Sequence, residues 1–321
     1  MPAVPLVRLV RSGFEEAVHL GSVAVADADG RLLAAAGEPH AVTFARSSMK
    51  PLQAAVSLTL AGEAPDDEEV AVMCASHNGE PRHLERVRSL LGRAGLGVEA
   101  LRTPPSWPLD QASAATVEGP RPEYHNCSGK HAGMLLACVR RGFDMETYRE
   151  PGHPLQVAVL EAVRAAAEEP RAVGIDGCGV PVHALPLSSL AAMYARLVTP
   201  GTVPGADRAA AAMRGTPYLV AGRNRMCTAL MEAVPEAVVK VGAEGLVCAG
   251  VADRGIGVAV KVRDGAARAA EPALVRALTL LGVVRDPEAP GVTRFAHPPV
   301  LGGGRPVGEL VADFNLVSLK P

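Results

Sequence analysis

Aromatic side chains and long apolar runs are both scarce in this chain of 321 residues. Aromatics make up 3% of it, so the core must be aliphatic and a base-stacking platform for nucleic acid is disfavoured. No apolar run approaches the roughly 20 residues that a membrane-spanning helix needs. The first 20 residues contain no long apolar segment and include Glu15 and Glu16. We therefore expect no signal peptide and a cytoplasmic protein.

An excess of charge of either sign is also missing. The 32 basic and 34 acidic residues give a net charge of −2, far from the strongly basic balance of a nucleic-acid-binding protein. Hydrophobic residues at 48% and charged residues at 21% are typical of a globular protein. A chain of this length can bury a large core without cross-links. The expected partner is a small-molecule substrate, with no nucleic acid and no membrane.

Lysine is the scarcest of the basic residues. Only five of the 32 basic residues are lysines, at positions 50, 130, 240, 261 and 320, and the other 27 are arginines. Arginine stays charged, whereas a buried lysine can lose its proton, so we expect lysines where arginine cannot serve. The six cysteines contain no Cys-x-x-Cys pair. In a cytosolic chain they indicate buried, metal-binding or reactive thiols rather than a disulfide framework.

Hydrophobic patterning predicts an α+β, three-layer-like fold. Strands are predicted over 5–36, around a turn at Asp27–Gly30, and again over 237–265 and 306–317. The intervening sequence has helical periodicity, and a further helix is predicted at about 270–282. The predicted intervening helices are 47–61, 81–93, 129–141, 154–169, 187–198 and 205–214. The pattern indicates an antiparallel sheet formed by both chain ends, with a central helical lobe.

One domain with two lobes accounts for this pattern, because no internal repeat or low-complexity linker separates its parts. The predicted sheet lobe comprises 1–40 and 236–321, and the mainly helical lobe comprises 41–235. The proline-rich stretch 103–108 is predicted to be a loop, and the glycines at 302–304 a turn.

The first candidate motif is Ser-x-x-Lys, formed by Ser47 and Lys50 at the start of a predicted helix. Three residues are about one helical turn, so the two side chains share a face. A neutral lysine there could take the serine proton and create a nucleophile. The alternative is an N-cap serine beside a solvated lysine, and the motif alone is weak.

Two further motifs follow in the order Ser-x-Asn and Lys-x-Gly. Ser76 and Asn78 come after an apolar run, and Lys240 lies on a predicted strand, next but one to a glycine. Each could instead be an ordinary turn or an outward-facing strand residue. The order of the three motifs is that of penicillin-recognising serine hydrolases and the related glutaminases. One departure is the short interval of 29 positions between Ser47 and Ser76.

A candidate metal site combines Cys127, Lys130 and Cys178. Two thiolates with a nitrogen ligand suit zinc, although lysine is a rare ligand that must be neutral to bind. The alternative is two ordinary buried cysteines. Arg46, His131 and Asp176 adjoin these motifs, and such groups would suit the charged α-carboxylate and α-ammonium of an amino acid. Each of them could instead have a surface or capping role.

Taken together, these segments resemble the asparaginase II family of Rhizobium-type inducible L-asparaginases. The resemblance rests on RSSMKPLQA (46–54), CASHNGE (74–80), HNCSGKHAGM (125–134), GIDGCGVPV (174–182), KVGAEG (240–245) and GVAVKVRDG (257–265). It implies a serine-β-lactamase/glutaminase-like fold, hydrolysis of L-asparagine to L-aspartate and ammonia, and a homodimer.

The resemblance also implies two Ser–Lys pairs and a zinc ion bound by two cysteines and a lysine. Carried over by motif, the nucleophile is Ser47 with Lys50, and Ser76 pairs with Lys240. Lys261 is the competitor for that second pair because it too lies on a predicted strand. The implied zinc ligands are the two cysteines and the lysine of the candidate metal site, and Arg46, His131 and Asp176 would line the substrate site.

Three other functions are compatible with the sequence. A β-lactamase or penicillin-binding protein is the nearest, but it would be expected to carry an export signal. A zinc hydrolase would attack with a metal-bound water and would not need Ser47. A non-catalytic, zinc-stabilised binding protein would leave the clustering of scarce lysines with serines unexplained.

Overall fold

The computed structural model describes residues 2–62 and 65–319, so Lys320 lies outside the described residues. The chain divides into two compact units. The bounds of the first unit are Met1–Ser48, Ala184–Thr199 and Ala229–Pro321. Those of the second unit are Met49–His183 and Pro200–Thr228.

The strands occur at both ends of the chain, with three short ones between them. They are β1 Val4–Arg11, β2 Phe14–Asp27, β3 Leu32–Ala36, β4 Val42–Phe44, β5 Ala172–Ile175, β6 Pro181–Pro186, β7 Ala237–Val241, β8 Leu246–Val251, β9 Ile256–Val262, β10 Pro299–Gly302, β11 Arg305–Ala312 and β12 Val317–Ser318.

Within the described residues of the first unit, nine strands form one antiparallel sheet. Its order is β10-β11-β1-β2-β9-β8-β7, with β3 paired to both β2 and β12. The Gly30 N–H donates to the Asp27 carbonyl at 3.1 Å and closes the turn predicted between β2 and β3. Both chain ends contribute strands to the sheet, and the helices lie mostly between them in sequence. The predicted α+β fold class is therefore confirmed.

The helices are of very different lengths. They are α1 Lys50–Ala61, α2 Asp67–Met73, α3 Pro81–Arg93, α4 Gln111–Ala114, α5 Ser128–Arg141, α6 Pro154–Ala166, α7 Leu187–Val198, α8 Ala206–Gly215, α9 Pro217–Ala221, α10 Met226–Ala233, α11 Ala267–Leu280 and α12 Thr293–Ala296. Short 3-10 helices occupy 46–49, 98–100 and 122–124. None of the helices in the described ranges is long and apolar enough to cross a membrane.

Helix α7 packs unusually close to the sheet of the first unit. A Cβ atom at Gly250 of β8 or Gly257 of β9 would collide with the carbonyl oxygen of Tyr194 or Ala191 in α7. Glycine at these two strand positions therefore permits the approach of the helix backbone. Helix α11 packs on β8, β9 and β11 of the same sheet. Helix α7 therefore lies directly against β8 and β9, the strands that follow the Lys-x-Gly motif.

In the second unit, α1 and α5 pack against each other and carry three of the candidate functional residues, Lys50, Lys130 and His131. Both helices are buried along most of their length. Helix α1 begins at Lys50, and α5 begins at Ser128, directly after Cys127. The N-termini of the two packed helices lie close together. Lys50 therefore contacts the Asn126 carbonyl, 76 positions away in sequence.

Candidate active site

The turn before α1 carries the tandem serines Ser47 and Ser48. The chain turns from β4 into a 3-10 helix over 46–49, and the Ser48 N–H donates to the Ala45 carbonyl at 3.1 Å. Arg46 has a φ of +46°, in the left-handed region that side chains other than glycine rarely adopt. Ser47 is half-buried, whereas Ser48 is fully buried. Only the first of the two hydroxyls is therefore placed where a substrate could reach it.

Arg46 pairs with an acidic residue of the same unit. A guanidinium nitrogen lies 3.8 Å from a carboxylate oxygen of Glu244. Glu244 also has a positive φ, of 59°, in the loop that follows β7. The ion pair links the loop after β7 to the turn that carries Ser47.

Lys240 lies in the middle of β7 and has no accessible surface. Its Nζ donates to the Val241 carbonyl at 3.1 Å, and its own carbonyl accepts a hydrogen bond from Ser48 Oγ at 3.3 Å. Lys261 on β9 is only half-buried, and its Nζ donates to the carbonyls of Val262 and Glu244. The structure therefore brings the backbone carbonyl of Lys240 into hydrogen-bonded contact with the serine turn.

Lys50 and Ser76 meet in the second unit. Lys50 Nζ lies 2.9 Å from Ser76 Oγ, and it also lies 2.6 Å from the Ala75 carbonyl oxygen and 3.2 Å from the Asn126 carbonyl oxygen. Burial lowers the pKa of Lys50 below its ordinary value, and the charge of Lys130 acts in the same direction.

The two carbonyl oxygens near Lys50 can only accept hydrogen bonds. A neutral amine has two N–H groups to donate to them, and its lone pair is then available to accept the proton of the Ser76 hydroxyl. Lys50 and Ser76 are therefore arranged to exchange a proton.

Both side-chain N–H groups of Asn78 donate hydrogen bonds, and its side-chain oxygen accepts one. Its Nδ2 donates to Glu80 Oε1 at 2.9 Å and to the Arg223 carbonyl at 3.0 Å, while its Oδ1 accepts from Arg225 Nη1 at 2.7 Å. Glu80 is 1% exposed and also accepts from the Tyr218 hydroxyl at 2.7 Å. The asparagine of the Ser-x-Asn motif therefore holds the loop around Arg223 in place.

His77, between the two polar residues of that motif, links it to the start of α5. Its Nδ1 accepts from the Gly79 N–H at 3.1 Å, which leaves the proton on Nε2, 2.9 Å from Ser128 Oγ. Ser128 Oγ in turn donates to the Glu123 carbonyl at 2.8 Å. Burial lowers the pKa of His77 well below its ordinary value, so the ring is neutral. This link was not predicted, because Ser128 is 51 residues away.

Cys127, Lys130 and Cys178 form one buried cluster in the second unit. Lys130 Nζ lies 3.0 Å from Cys178 Sγ, and Cys127 Sγ lies 3.1 Å from Asn126 Oδ1. All six cysteines of the chain are buried free thiols. The structure thus brings together the three predicted metal ligands.

The protonation states of Cys127, Lys130 and Cys178 depend on their contacts with one another. The hydrogen bond from Cys127, together with the charge of Lys130, holds the pKa of Cys178 well below its usual range. The same hydrogen bond and burial raise the pKa of Cys127. Burial alone would lower the pKa of Lys130, but Cys178 and Cys127 raise it above its usual value. Without metal, the cluster is a thiolate, a thiol and an ammonium group.

His131 and Asp176 flank this cluster. Burial lowers the pKa of His131 to about 4, so the ring is neutral at pH 7, and its Nδ1 lies 2.6 Å from the Tyr148 hydroxyl. Asp176 accepts from the Gly177 and Gly179 N–H groups in the tight turn that presents Cys178, and its charge helps to raise the pKa of Lys130. The contact with Tyr148 had no sequence signal.

Among residues 2–62 and 65–319, no three His, Cys, Asp or Glu side chains gather closely enough to bind a metal ion. The cluster supplies two such side chains, and a third ligand would have to be Lys130. Two sulfurs and an amine are the soft and borderline donors that zinc accepts. The residues present therefore fit a zinc ion only if Lys130 loses its proton.

Several solved structures are similar to this chain at low identity. A β-lactamase from Mycobacterium bovis is 19% identical, covers 82% of this chain and 95% of its own, and has a TM-score of 0.44. A Bacteroides dorei protein assigned as a β-lactamase is 14% identical over 83% of this chain and 93% of its own, with a TM-score of 0.46. A Bacillus glutaminase is 12% identical over 82% and 91%, with a TM-score of 0.38.

Sequence comparisons give a more specific result. No curated protein matches the chain. The family model of L-asparaginase II, however, matches residues 7–312, which run from β1 to the end of β11 and include every candidate motif. That match confirms the resemblance seen in the motifs, and the chain belongs to the L-asparaginase II family.

Proposed function

We propose that this protein is an L-asparaginase that hydrolyses the side-chain amide of L-asparagine to L-aspartate and ammonia. The match of residues 7–312 to the L-asparaginase II family carries the proposal, since it supports an amidohydrolase. The 2.9 Å contact between Lys50 Nζ and Ser76 Oγ supports a reaction through serine and lysine rather than through metal-bound water alone.

In the proposed reaction, Ser47 Oγ attacks the side-chain carbonyl carbon of asparagine and its proton passes to neutral Lys50. The tetrahedral intermediate collapses as the C–N bond breaks, and the proton held by Lys50 passes through Ser76 to the leaving amine, which returns Lys50 to its neutral form. The products of this half are ammonia and a β-aspartyl ester on Ser47. Water then attacks the ester and gives a proton to Lys50. Ser47 recovers its proton as aspartate leaves.

Lys240 is the lysine that we assign to the second pair, with Ser76. Lys240 is fully buried, whereas Lys261 is half-buried. Burial favours the neutral form of an amine, so the more deeply buried of the two lysines is the better group for proton transfer. We propose that Ser76 and Lys240 together relay to the leaving amine the proton that Lys50 took from Ser47.

Methionine substitutions separate the two lysines. We expect Lys240→Met to lower kcat by roughly 10²–10⁴-fold, the usual worth of proton transfer by a positioned side chain. Lys261→Met should leave kcat within about threefold. Steady-state ammonia release and thermal melting of both variants are the measurements. Loss of activity in Lys261→Met alone would transfer the role to that residue.

The charged end of the substrate needs a cation and an anion. We propose that Arg46, half-buried beside Ser47, binds the α-carboxylate, and that Asp176 accepts from the α-ammonium group. His131, being neutral and buried, would contribute a hydrogen bond rather than a charge. These contacts would distinguish a free amino acid from a peptide amide.

Release of ammonia from L-asparagine tests the proposal directly. Activity on L-asparagine should exceed that on L-glutamine, and opening of a β-lactam ring measured in parallel should be negligible. Absence of ammonia release from asparagine by folded, zinc-supplied protein would refute the proposed function. We also propose a homodimer as the working assembly, which sedimentation analysis of the same preparation tests.

Zinc is proposed as a bound metal, with Cys127, Lys130 and Cys178 as its protein ligands. The cluster fits because one of its sulfurs is already held as a thiolate and the other two groups lie beside it. When bound, zinc would supply a positive charge beside the charged end of the substrate. Lys130, His131 and Asp176 would be oriented around that end by the same cluster.

Zinc content should fall when a proposed ligand cysteine is replaced and should be kept when a different buried cysteine is replaced. We expect about one zinc per chain in the wild type and a large loss in Cys178→Ser. Cys138→Ser is the matched control, since Cys138 is a fully buried thiol of α5 with a pKa raised to about 12 by burial. Metal analysis of the three purified proteins measures this. Equal zinc in all three would place the metal elsewhere.

The affinity for zinc should rise steeply with pH. Lys130 and Cys127 both have raised pKa values and must each release a proton before they bind metal, whereas Cys178 has already lost its own. Each displaced proton strengthens binding about tenfold per pH unit, so two give about 100-fold. Competition with a chelator at several pH values gives the slope, and a flat profile would contradict the assigned ligands.

A further inference from the structure

Ser48 differs from its neighbour Ser47 in being wholly enclosed. Its side chain has no accessible surface, and its carbonyl oxygen accepts a hydrogen bond from the Tyr194 hydroxyl at 2.7 Å. Tyr194 lies on α7 and is itself fully buried. The backbone of the serine turn is therefore fastened to a helix that packs tightly on the sheet of the same unit.

The side chain of Ser48 makes a second attachment. Its Oγ donates to the Lys240 carbonyl at 3.3 Å, on the strand β7 that carries the second lysine. Cys248 of β8 lies directly across from Lys240 and also contacts Ser48. Burial raises the pKa of Cys248 to about 12, so the thiol is neutral and packs against Ser48 as a small group.

Gly242 leaves little room around Ser48. A Cβ atom on Gly242 would lie 3.0 Å from Ser48 Oγ and 3.2 Å from the Cβ and Cδ2 atoms of Leu246. The 3.0 Å approach is tighter than ordinary van der Waals contact, so an added methyl would displace Ser48 or the strand. In this chain the glycine of the Lys-x-Gly motif is therefore explained by the approach of Ser48 to β7.

The serine turn needs such support, because Arg46 holds a left-handed φ of +46° immediately before Ser47. A backbone of this kind is unfavourable for a residue with a side chain and persists only where its surroundings fix it. On the other side of Ser47, the next residue, Ser48, is held by its hydrogen bonds with the Tyr194 hydroxyl and the Lys240 carbonyl. The nucleophile candidate is thus held between an unfavourable backbone conformation and two buried hydrogen bonds.

We infer that Ser48 and Tyr194 are positioning residues that fix Ser47 Oγ relative to Lys240, through the two hydrogen bonds of Ser48. The inference rests on the proposed function, since it assigns these residues a part in the same reaction. Neither residue is exposed to a substrate, so both act through Ser47 and Lys240. Catalysis by an attacking hydroxyl depends steeply on its placement, and a 1 Å displacement can cost about 10²-fold in rate.

Two substitutions remove one hydrogen bond each. We expect Tyr194→Phe to lower kcat for L-asparagine about 10-fold and Ser48→Ala about 10- to 100-fold, with KM changed less than about twofold. The readout is a fall in kcat with little change in KM. When kcat is calculated per folded enzyme, a loss of folded protein alone changes neither constant. Circular dichroism and melting temperature give the folded fraction.

Ser57→Ala is the matched control for Ser48→Ala. Ser57 is 1% exposed, lies on α1 and donates from its Oγ to the Gln53 carbonyl at 2.9 Å. Its loss removes the same kind of buried hydrogen bond away from the serine turn, so stability should fall comparably while kcat is kept. If Ser48→Ala fails to fold, Tyr194→Phe and Gly242→Ala decide, and Gly242→Ala should also lower kcat.

The outcomes separate this inference from the proposed function. A wild type that hydrolyses asparagine, with Tyr194→Phe and Gly242→Ala as active as Ser57→Ala, would overturn only the positioning role. Full activity in Ser47→Ala with none in Ser48→Ala would also overturn it, by making Ser48 the nucleophile. A folded wild type that releases no ammonia would overturn the proposed function and this inference with it.

Discussion

Replacement of Lys50 by arginine is expected to lower kcat for asparagine by roughly 10³-fold or more, with the protein still folded. The proposed base must be neutral to take the proton of Ser47, and arginine remains protonated at every working pH. Positioned acid–base groups typically contribute about 10²–10⁴-fold, and Lys50 serves both halves of the reaction. A guanidinium group is also too broad for a site that is 1% exposed and bounded by two carbonyl oxygens.

Lys50→Met is the companion variant, because it keeps the apolar stem and removes the amine. Both variants should be inactive, and their melting temperatures and zinc contents should establish that the rest of the second unit is intact. In the wild type, kcat should fall as the pH is lowered, since protonation of Lys50 removes the base. The pKa of Lys50 is lowered by burial, so this fall should begin below the ordinary range of a lysine. Appreciable turnover by folded Lys50→Arg would remove Lys50 from the mechanism.

Long, regular elements could be predicted from the sequence, and short buried ones could not. The predicted helix at 81–93 is α3, and the strands predicted within 237–265 are β7, β8 and β9. Helix α2 was not predicted, because its four apolar residues, Val-Ala-Val-Met, form a run too short to show a helical period. By periodicity alone, a short apolar run of this kind resembles a buried strand.

The scarcity of lysine proved the most informative feature of the candidate site. Lys50, Lys130 and Lys240 are 1%, 3% and 0% exposed, which fits the expectation that lysines occupy positions where arginine cannot serve. Burial of a lysine next to a hydroxyl or a thiol is costly unless its charge is paired or lost. The scarcity of lysine in the composition thus indicated lysines with a chemical role, independently of any motif.

The partners of these residues could not be predicted, because they are distant in sequence and fixed only by packing. Tyr194 contacts Ser48 across 146 positions, and Arg225 contacts Asn78 across 147. The motif Ser-Ser-x-Lys also does not tell which serine faces outward. Burial in the folded chain makes that distinction, with Ser47 half-buried and Ser48 enclosed.

Ser47→Ala is expected to reduce ammonia release from asparagine by roughly 10⁴–10⁶-fold, the loss typical when a covalent nucleophile is removed. The zinc content should not change, because Ser47 is not among the proposed zinc ligands. This combination distinguishes a serine nucleophile from a metal-bound water, which would attack equally well in the variant. Ser48→Ala provides the contrast, since its loss should be at least 100-fold smaller.

Rapid quenching of wild type with asparagine, followed by intact-protein mass measurement, should trap one aspartyl group per chain, and Ser47→Ala should trap none. Metal analysis of the same samples shows whether zinc is present when turnover is measured. Abundant zinc with near-normal turnover in Ser47→Ala would assign the attack to a metal-bound water. An aspartyl group still trapped in Ser47→Ala would place the ester on another residue, of which Ser76, with its hydroxyl 2.9 Å from Lys50 Nζ, is the first to test.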